Sequence, residues 1–466
     1  MTRTFPADFW FGTATAAYQI EGAAGEDGRG PSIWDTFSHT PGRTANGDTG
    51  DVACDHYRRW RQDIQLMRRL GLDAYRLSIS WPRVLPQGRG GVNKPGVDFY
   101  RALVAELRQA GIRPVVTLYH WDLPQALQDQ GGWTNRETAY AFAEYARLMA
   151  RALGDDVELW TTLNEPWCSA YLGHASGAHA PGLTDPLAAL LAVHHLNLAH
   201  GLAVQAIRDE LGAQARTSVT LNLHVVRPEN ADSPDDQAAA HQIQTIGNEV
   251  FLVPMLEGRL PEGLTQYTAS ITDWSFVQDG DLELIHQPLD MLGVNYYSTS
   301  TVRRARPGDA TAVGPDTPQG YSPWVACDDV TFLPPTGPLT EMGWNIDPSG
   351  LSELLTGLAG RYPGLPLVVT ENGMAAADGL GADGRVHDPA RIDYLGRHLA
   401  AVLDARDAGA DVRGYFVWSL LDNFEWALGY TKRFGITWVD YPTQRRIPKD
   451  SFDWYRQVIA TRELDD

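Results

Sequence analysis

Two short motifs, TLNEP at 162–166 and VVTENG at 368–373, each close a run of hydrophobic, β-branched residues with a glutamate. A strand that ends in an acid presents it at a rim, and two such strands can aim two acids at one bond. Cleavage of a glycosidic bond needs that pairing. One carboxyl group protonates the leaving oxygen, and a second carboxylate deals with the electron-poor sugar carbon. Glu165 and Glu371 are therefore the candidates for chemistry.

The elements that must position them follow from periodicity. Apolar, strand-like runs fall at 11–18, 74–80, 114–119, 157–164, 218–224, 291–297, 365–370 and 412–419. Amphipathic stretches separate them, the alternation expected of parallel strands joined by crossover helices. Between the second and third runs, Tyr100, Leu103, Val104 and Leu107 repeat at helical spacing, with Pro95 ahead and Gly111 behind. Tyr57, Trp60, Ile64 and Met67 form a second stripe ended by Gly71, and Ile392, Leu395, Leu399 and Val402 a third ended by Gly409. Eight strand–helix units imply an α/β fold of one kind, a closed single-domain (β/α)8 TIM barrel occupying 1–466, with function on the loops that follow the strands. Two connections, 22–55 and roughly 299–345, are long and rich in Gly, Pro, Thr and Asp, and show no pattern of their own. The second contains Trp324 and Trp344, flat surfaces that suit either stacking on a sugar or ordinary packing.

Composition bounds the partners. With 43% hydrophobic and 21% charged residues the chain can bury a large core, and no run reaches the roughly 20 consecutive apolar residues of a membrane span. A formal charge of −20 opposes nucleic acid and anionic membrane surfaces, so a neutral substrate fits best. The three cysteines, Cys54, Cys168 and Cys327, are too scattered for a disulfide framework or a paired zinc site and read as reduced thiols. The start of the chain lacks a basic segment followed by an apolar core and cleavage site, from which a cytoplasmic location is expected.

Beyond the two acid motifs stand AYQIEG at 17–22, YRLSISWPR at 75–83, YHWDLPQAL at 119–127, GVNYY at 293–297 and WSLLDNFEWALGYTKRFGI at 418–436. Together and in this order they resemble the family 1 glycoside hydrolases, β-glucosidases and their relatives, over nearly the whole chain from Phe9 to about Pro448. The resemblance implies Glu165 as acid/base and Glu371 as nucleophile of a retaining double displacement, with the carboxyl groups about 5 to 5.5 Å apart. It implies Arg76 and Tyr297 as partners that favour the charged nucleophile, while Glu165 begins protonated. It further implies that Gln19, His120, Trp121, Asn164, Asn295, Glu425 and Trp426 face the hydroxyls of the non-reducing sugar and that Trp418 forms its aromatic floor. Each has a plainer reading. Arg76 suits a rim ion pair, Tyr297 and His120 suit the core, Gln19 and Asn164 suit turns, and Trp121 and Trp418 suit packing.

Relatives that act on 6-phosphorylated sugars carry serine where this chain has Glu425, and use a downstream lysine and tyrosine to hold the phosphate. Lys432 occupies the lysine position, but Phe434 stands for the tyrosine, and a carboxylate would repel the phosphate. The expected substrate is therefore a neutral, unphosphorylated β-glycoside or oligosaccharide, with glucose favoured and galactose or fucose tolerated, and no cofactor. His120 and Asp122, and His194, His195 and His200, lack the spacing of a helical zinc motif, so no metal is expected. Transfer to a sugar or alcohol instead of water stays open, as does a barrel that binds glycans without turning them over.

Overall fold

The structure, a computed structural model, describes residues 2–309 and 320–465. Eight strands close a barrel in chain order: β1 (Trp10–Ala14), β2 (Ala74–Ser78), β3 (Arg113–Tyr119), β4 (Leu159–Asn164), β5 (Thr217–Asn222), β6 (Met291–Asn295), β7 (Leu367–Asn372) and β8 (Val412–Trp418). Each runs parallel to its neighbours, and β8 returns to pair with β1. The chain is a single (β/α)8 barrel. Its strands are buried on both faces, because helices cover the outside and side chains fill the interior.

The crossover helices are α1 (His56–Leu70), α2 (Lys94–Gln109), α3 (Glu137–Leu153), α4 (Pro186–Leu211), α5 (Val250–Glu257), α6 (Pro348–Arg361), α7 (Pro389–Asp407) and α8 (Asp450–Thr461). In α1 the residues Trp60, Ile64 and Met67 are buried and Tyr57 is half-buried, and the helix stops where Gly71 turns left-handed at φ 78°. Pro95 lies inside the first turn of α2, where its missing N–H costs nothing, and Tyr100, Leu103, Val104 and Leu107 face the barrel. Asp185 caps α4 by accepting from the N–H groups of Leu187 and Ala188. At 26 residues and a mean hydropathy of 1.5 this helix is long and apolar enough to cross a membrane, yet 83% of its apolar window is buried inside the protein. Its near-uniform apolarity reflects burial against α3, α5 and the barrel.

Several boundaries differ from the sequence expectation. The run at 11–18 is not one strand: β1 ends at Ala14 and the chain turns into a short helix, Ala17–Ile20, where Ser78 Oγ accepts from the Ala17 N–H at 2.7 Å. A short buried apolar run has no periodicity that separates strand from helix turn. The seventh strand extends past Thr370 to include Glu371 and Asn372. Nor are the long connections patternless. Residues 22–55 hold the helix Ile33–His39, closed by a capping box between Ser32 and Asp35. Part of 299–345 forms strands Thr299–Arg304 and Val330–Phe332 in a three-stranded sheet with Val225–Pro228.

A buried ionic network ties the ends of β7 and β8 to the outer helices. Lys449, just before α8, donates to Asp378 at 2.5 Å and to Asp422 at 2.7 Å. Arg391 of α7 pairs with Asp378 and Asp388, and Arg433 with Asp422. Removing one member strands its partners in low dielectric. Lys449→Ala is expected to cost about 3–5 kcal/mol, read as a lower denaturant midpoint, whereas an unchanged midpoint would mean that the network carries no stability.

Candidate active site

The register of the barrel brings the acids to one level at the C-terminal rim. Asn222 of β5 opposes Asn295 of β6, which in turn opposes Glu371 of β7. A register shift between Val369 and Glu371 marks an irregularity that re-aims the end of β7. Asn164 ends β4, and Glu165 follows it in the left-handed region at φ 45°, its N–H donating to the Thr220 carbonyl at 2.9 Å. Few non-glycine residues adopt that backbone, and here it swings the acid inward from the strand end.

Both carboxyl groups are buried and share a small set of partners. Arg76, fully buried on β2, donates to Glu371 Oε1 at 2.5 Å and to Asn164 Oδ1 at 2.6 Å. The Tyr297 hydroxyl donates to Glu371 Oε2 at 2.8 Å. Asn295 Nδ2 donates to Glu165 Oε1 at 2.7 Å and to Asn164 Oδ1 at 3.1 Å, and the same amide favours the charged form of Glu371. The two carboxyl groups are close enough that the Glu371 charge acts directly on Glu165.

Their environments differ in charge. Burial, then the neighbouring Glu371 charge, pushes Glu165 up to about 8, against donors on Asn295 and Cys168 and the more distant Arg76. Burial raises Glu371 as well, contrary to what its partners alone suggest, and Arg76, Tyr297 and Asn295 pull it back. Glu165, with no ion pair of its own, is the member that holds the proton. Burial and the Glu371 charge keep Tyr297 a neutral donor, while burial and Arg76 keep His120 a neutral imidazole.

Around this pair the structure gathers most of the other sequence candidates. Gln19, on the short helix after β1, donates through Nε2 to Asn423 at 3.0 Å and to the Phe424 carbonyl at 2.8 Å. Its Oε1 is buried with no protein partner, as is His120 Nδ1, whose other nitrogen meets Asn164 Nδ2 at 3.0 Å. Trp418 ends β8 and stacks toward His120, with ring centroids 5.9 Å apart. Trp426, also left-handed at φ 49°, lies 4.4 Å from Trp121 and is backed by Trp34 at 4.7 Å. Glu425 precedes Trp426 in this turn, held by its own N–H donating to the Gly429 carbonyl at 2.6 Å. Trp121 spends its indole N–H on the Asn164 carbonyl at 2.9 Å, so it braces the acid strand.

The two loop tryptophans part company. Trp344 lies 5.3 Å from Tyr297 and 6.2 Å from Phe434, at the rim beside Glu371. Trp324 is buried against Trp167, His224 and Phe332, a step removed from the carboxyl groups. Lys432 donates to the Glu341 carbonyl at 2.6 Å, and Phe434 is buried. Among the described residues no group of three or more His, Cys, Asp or Glu is placed to hold a metal. His194 bonds Asp281, His195 the Trp133 carbonyl and His200 Thr162. Sequence reasoning missed Cys168, whose thiol donates to Glu165 Oε2 at 3.3 Å, although its place three residues after the acid was a signal. Asn423, which orients Gln19, was also missed.

The family model of glycosyl hydrolase family 1 matches residues 1–464. The chain belongs to glycosyl hydrolase family 1. It is 57% identical to a bifunctional beta-D-glucosidase/beta-D-fucosidase of Bifidobacterium breve, over 99% of both chains. Among solved structures it is similar to a psychrophilic beta-glucosidase of Micrococcus antarcticus, at TM-score 0.95 and 48% identity over 99% of this chain and 98% of that one. A family 1 beta-glucosidase of Thermotoga maritima in complex with isofagomine lactam aligns at TM-score 0.92 and 44% identity over all of both chains. Membership in a hydrolase family gives the buried acid pair a chemical setting.

A proton held more tightly in the fold than in the unfolded chain makes stability fall as pH rises. The loss begins near the ordinary value of 4.5 and ends near the folded value of about 8. Glu165→Gln does not titrate and keeps an acceptor for Asn295. Its melting temperature relative to wild type is expected to rise steadily from pH 5 to pH 8 and then level, and a flat difference would contradict the assignment of the proton to Glu165.

Proposed function

We propose that this chain is a retaining β-glycosidase that hydrolyses terminal, non-reducing β-D-glucosyl residues and tolerates galactosyl and fucosyl ones. Glu165 acts as acid/base and Glu371 as nucleophile. The observation that carries the reading is a buried pair of glutamates whose charges act on one another, Glu371 held by Arg76 and Tyr297 and Glu165 by Asn295. Such closeness suits direct attack on the anomeric carbon, whereas inversion needs about 6.5–9.5 Å between the carboxyl groups to admit a water.

The first step follows from the charges. Glu165 gives its proton to the glycosidic oxygen while Glu371, held by Arg76 and Tyr297, bonds to the anomeric carbon as the aglycone leaves. Once that bond forms, the Glu371 charge is gone and the push on Glu165 goes with it. Glu165 then takes a proton from water, which attacks the same carbon and releases the sugar with its configuration retained.

The substrate follows from the rim. Gln19 and His120 offer buried polar atoms to sugar hydroxyls, over the aromatic surface of Trp418 and Trp426. Glu425, the occupied Lys432 and the apolar Phe434 disfavour a 6-phosphate. A relative named for both glucosidase and fucosidase activity supports tolerance of a sugar lacking the 6-hydroxyl. Trp344, beside Tyr297, suits the leaving-group side.

Glu371→Gly is expected to lower turnover of nitrophenyl β-D-glucoside by about 10⁴-fold or more, and near wild-type turnover would end the reading. Glu165→Ala should lose cellobiose hydrolysis far more than cleavage of dinitrophenyl glucoside, with azide restoring rate as a β-glycosyl azide; an equal loss on both substrates would remove Glu165 as the acid. In the wild type, kcat/KM should fall on the alkaline side near pH 8 as Glu165 ionises. That limb should vanish for Glu165→Gln acting on an activated aryl glucoside, and its persistence would assign it to another group.

A further inference from the structure

Asn295 donates to Glu165 and favours the charged form of Glu371, and its effect on the two acids depends on which end of its amide faces them. Nitrogen toward the acids donates and favours their charged forms, whereas oxygen toward them favours the protonated forms. We infer that Thr370 is a positioning residue for the reaction, its hydroxyl fixing the Asn295 carboxamide with the nitrogen toward Glu165 and Glu371. The inference rests on the assignment of those glutamates given above.

Thr370 immediately precedes Glu371 on β7 and is buried. Its hydroxyl donates to Asn295 Oδ1 at 2.7 Å. The hydroxyl of Thr220, on β5, donates in turn to Thr370 Oγ1 at 3.3 Å. That order fixes the direction of the relay. Having accepted from Thr220, the Thr370 oxygen keeps its own proton for Asn295, and Asn295 Nδ2 is left to donate to Glu165 Oε1 and Asn164 Oδ1.

The intervening strand makes room for this line of hydroxyls. Gly293 of β6 lies between the two threonines, and a Cβ there would overlap Thr220 Oγ1 and come within 3.1 Å of Thr370 Oγ1. Packing alone does not explain the hydroxyl at 370, since valine has the same shape, suits a buried strand and stands at 368 and 369. Without it, Asn295 Oδ1 is a buried acceptor with no partner. The amide regains one by turning its oxygen to the protonated Glu165, which then keeps its proton to higher pH, while Glu371 loses a donor. The other groups that face the pair are Arg76, Tyr297, Cys168, the neutral His120 and, beyond Tyr297, Glu425. Replacing Thr370 with valine changes none of their charges.

The test is the pH dependence of kcat/KM on nitrophenyl β-D-glucoside for the wild type, Thr370→Val and Thr370→Ser. Thr370→Val should move both limbs upward by about one unit and lower kcat/KM at pH 6 by about tenfold, mostly through kcat. Thr370→Ser, which keeps the hydroxyl, should retain the wild-type limbs. Thr220→Val, one step back in the relay, should shift the limbs the same way by less, and it decides the matter if Thr370→Val does not fold. Limbs of Thr370→Val that coincide with wild type, or a serine variant shifted as far as the valine one, would overturn the inference. With Glu371→Gly inactive in the same panel, that failure would leave the glutamate assignment standing. An active Glu371→Gly would overturn both.

Discussion

The C-terminal rim of this barrel holds two buried carboxyl groups and one guanidinium, which bonds only one of them. Burial disfavours the charge on either acid, and the group is close to neutral only when one carboxyl keeps a proton. Geometry decides which. Arg76 and Tyr297 both reach Glu371, while Glu165 meets an amide and a thiol, weaker donors that leave it above the ordinary carboxylate range. An acid and an anion thus stand side by side at the same pH, set by one side chain that reaches across the barrel from β2.

The rest of the fold serves that placement. Parallel strands end together at one rim, and the pairing of Asn222 with Asn295 and of Asn295 with Glu371 fixes neighbouring side chains at one height. Where the strand geometry points the wrong way, the chain departs from it. Glu165, Trp121 and Trp426 are all left-handed non-glycine residues. Each such residue costs roughly 1–3 kcal/mol and persists only where surrounding contacts impose it. Here those contacts are the Trp121 bond to the Asn164 carbonyl and the packed rings of Trp34, Trp121 and Trp426.

Much of this was legible in the sequence, for identifiable reasons. Eight apolar runs separated by amphipathic stretches implied the barrel, and a glutamate closing the fourth and seventh runs implied a rim with two acids. Strand ends were less readable. Residues 15–18 continue the apolar character of β1 although the chain has already turned, because burial rather than secondary structure selects those side chains. The long connections hid a helix and two strands, since Gly, Pro and Asp in them set turns between elements too short to show a period. Trp344 and Trp324 looked alike in sequence, yet only Trp344 flanks Tyr297, a difference fixed by tertiary packing. Relays such as Thr220 to Thr370 to Asn295 join residues 75 or more positions apart and leave no local pattern.

The most direct test of the charge account is a carbon-13 titration of the glutamate carboxyl carbons in the wild-type protein, with the two signals assigned by their loss in Glu165→Gln and Glu371→Gln. The account predicts that at pH 6 Glu165 is protonated and Glu371 ionised, and that Glu165 gives up its proton with a midpoint near 8. Two ionised carboxyls at pH 6, or a proton held by Glu371 instead, would contradict it.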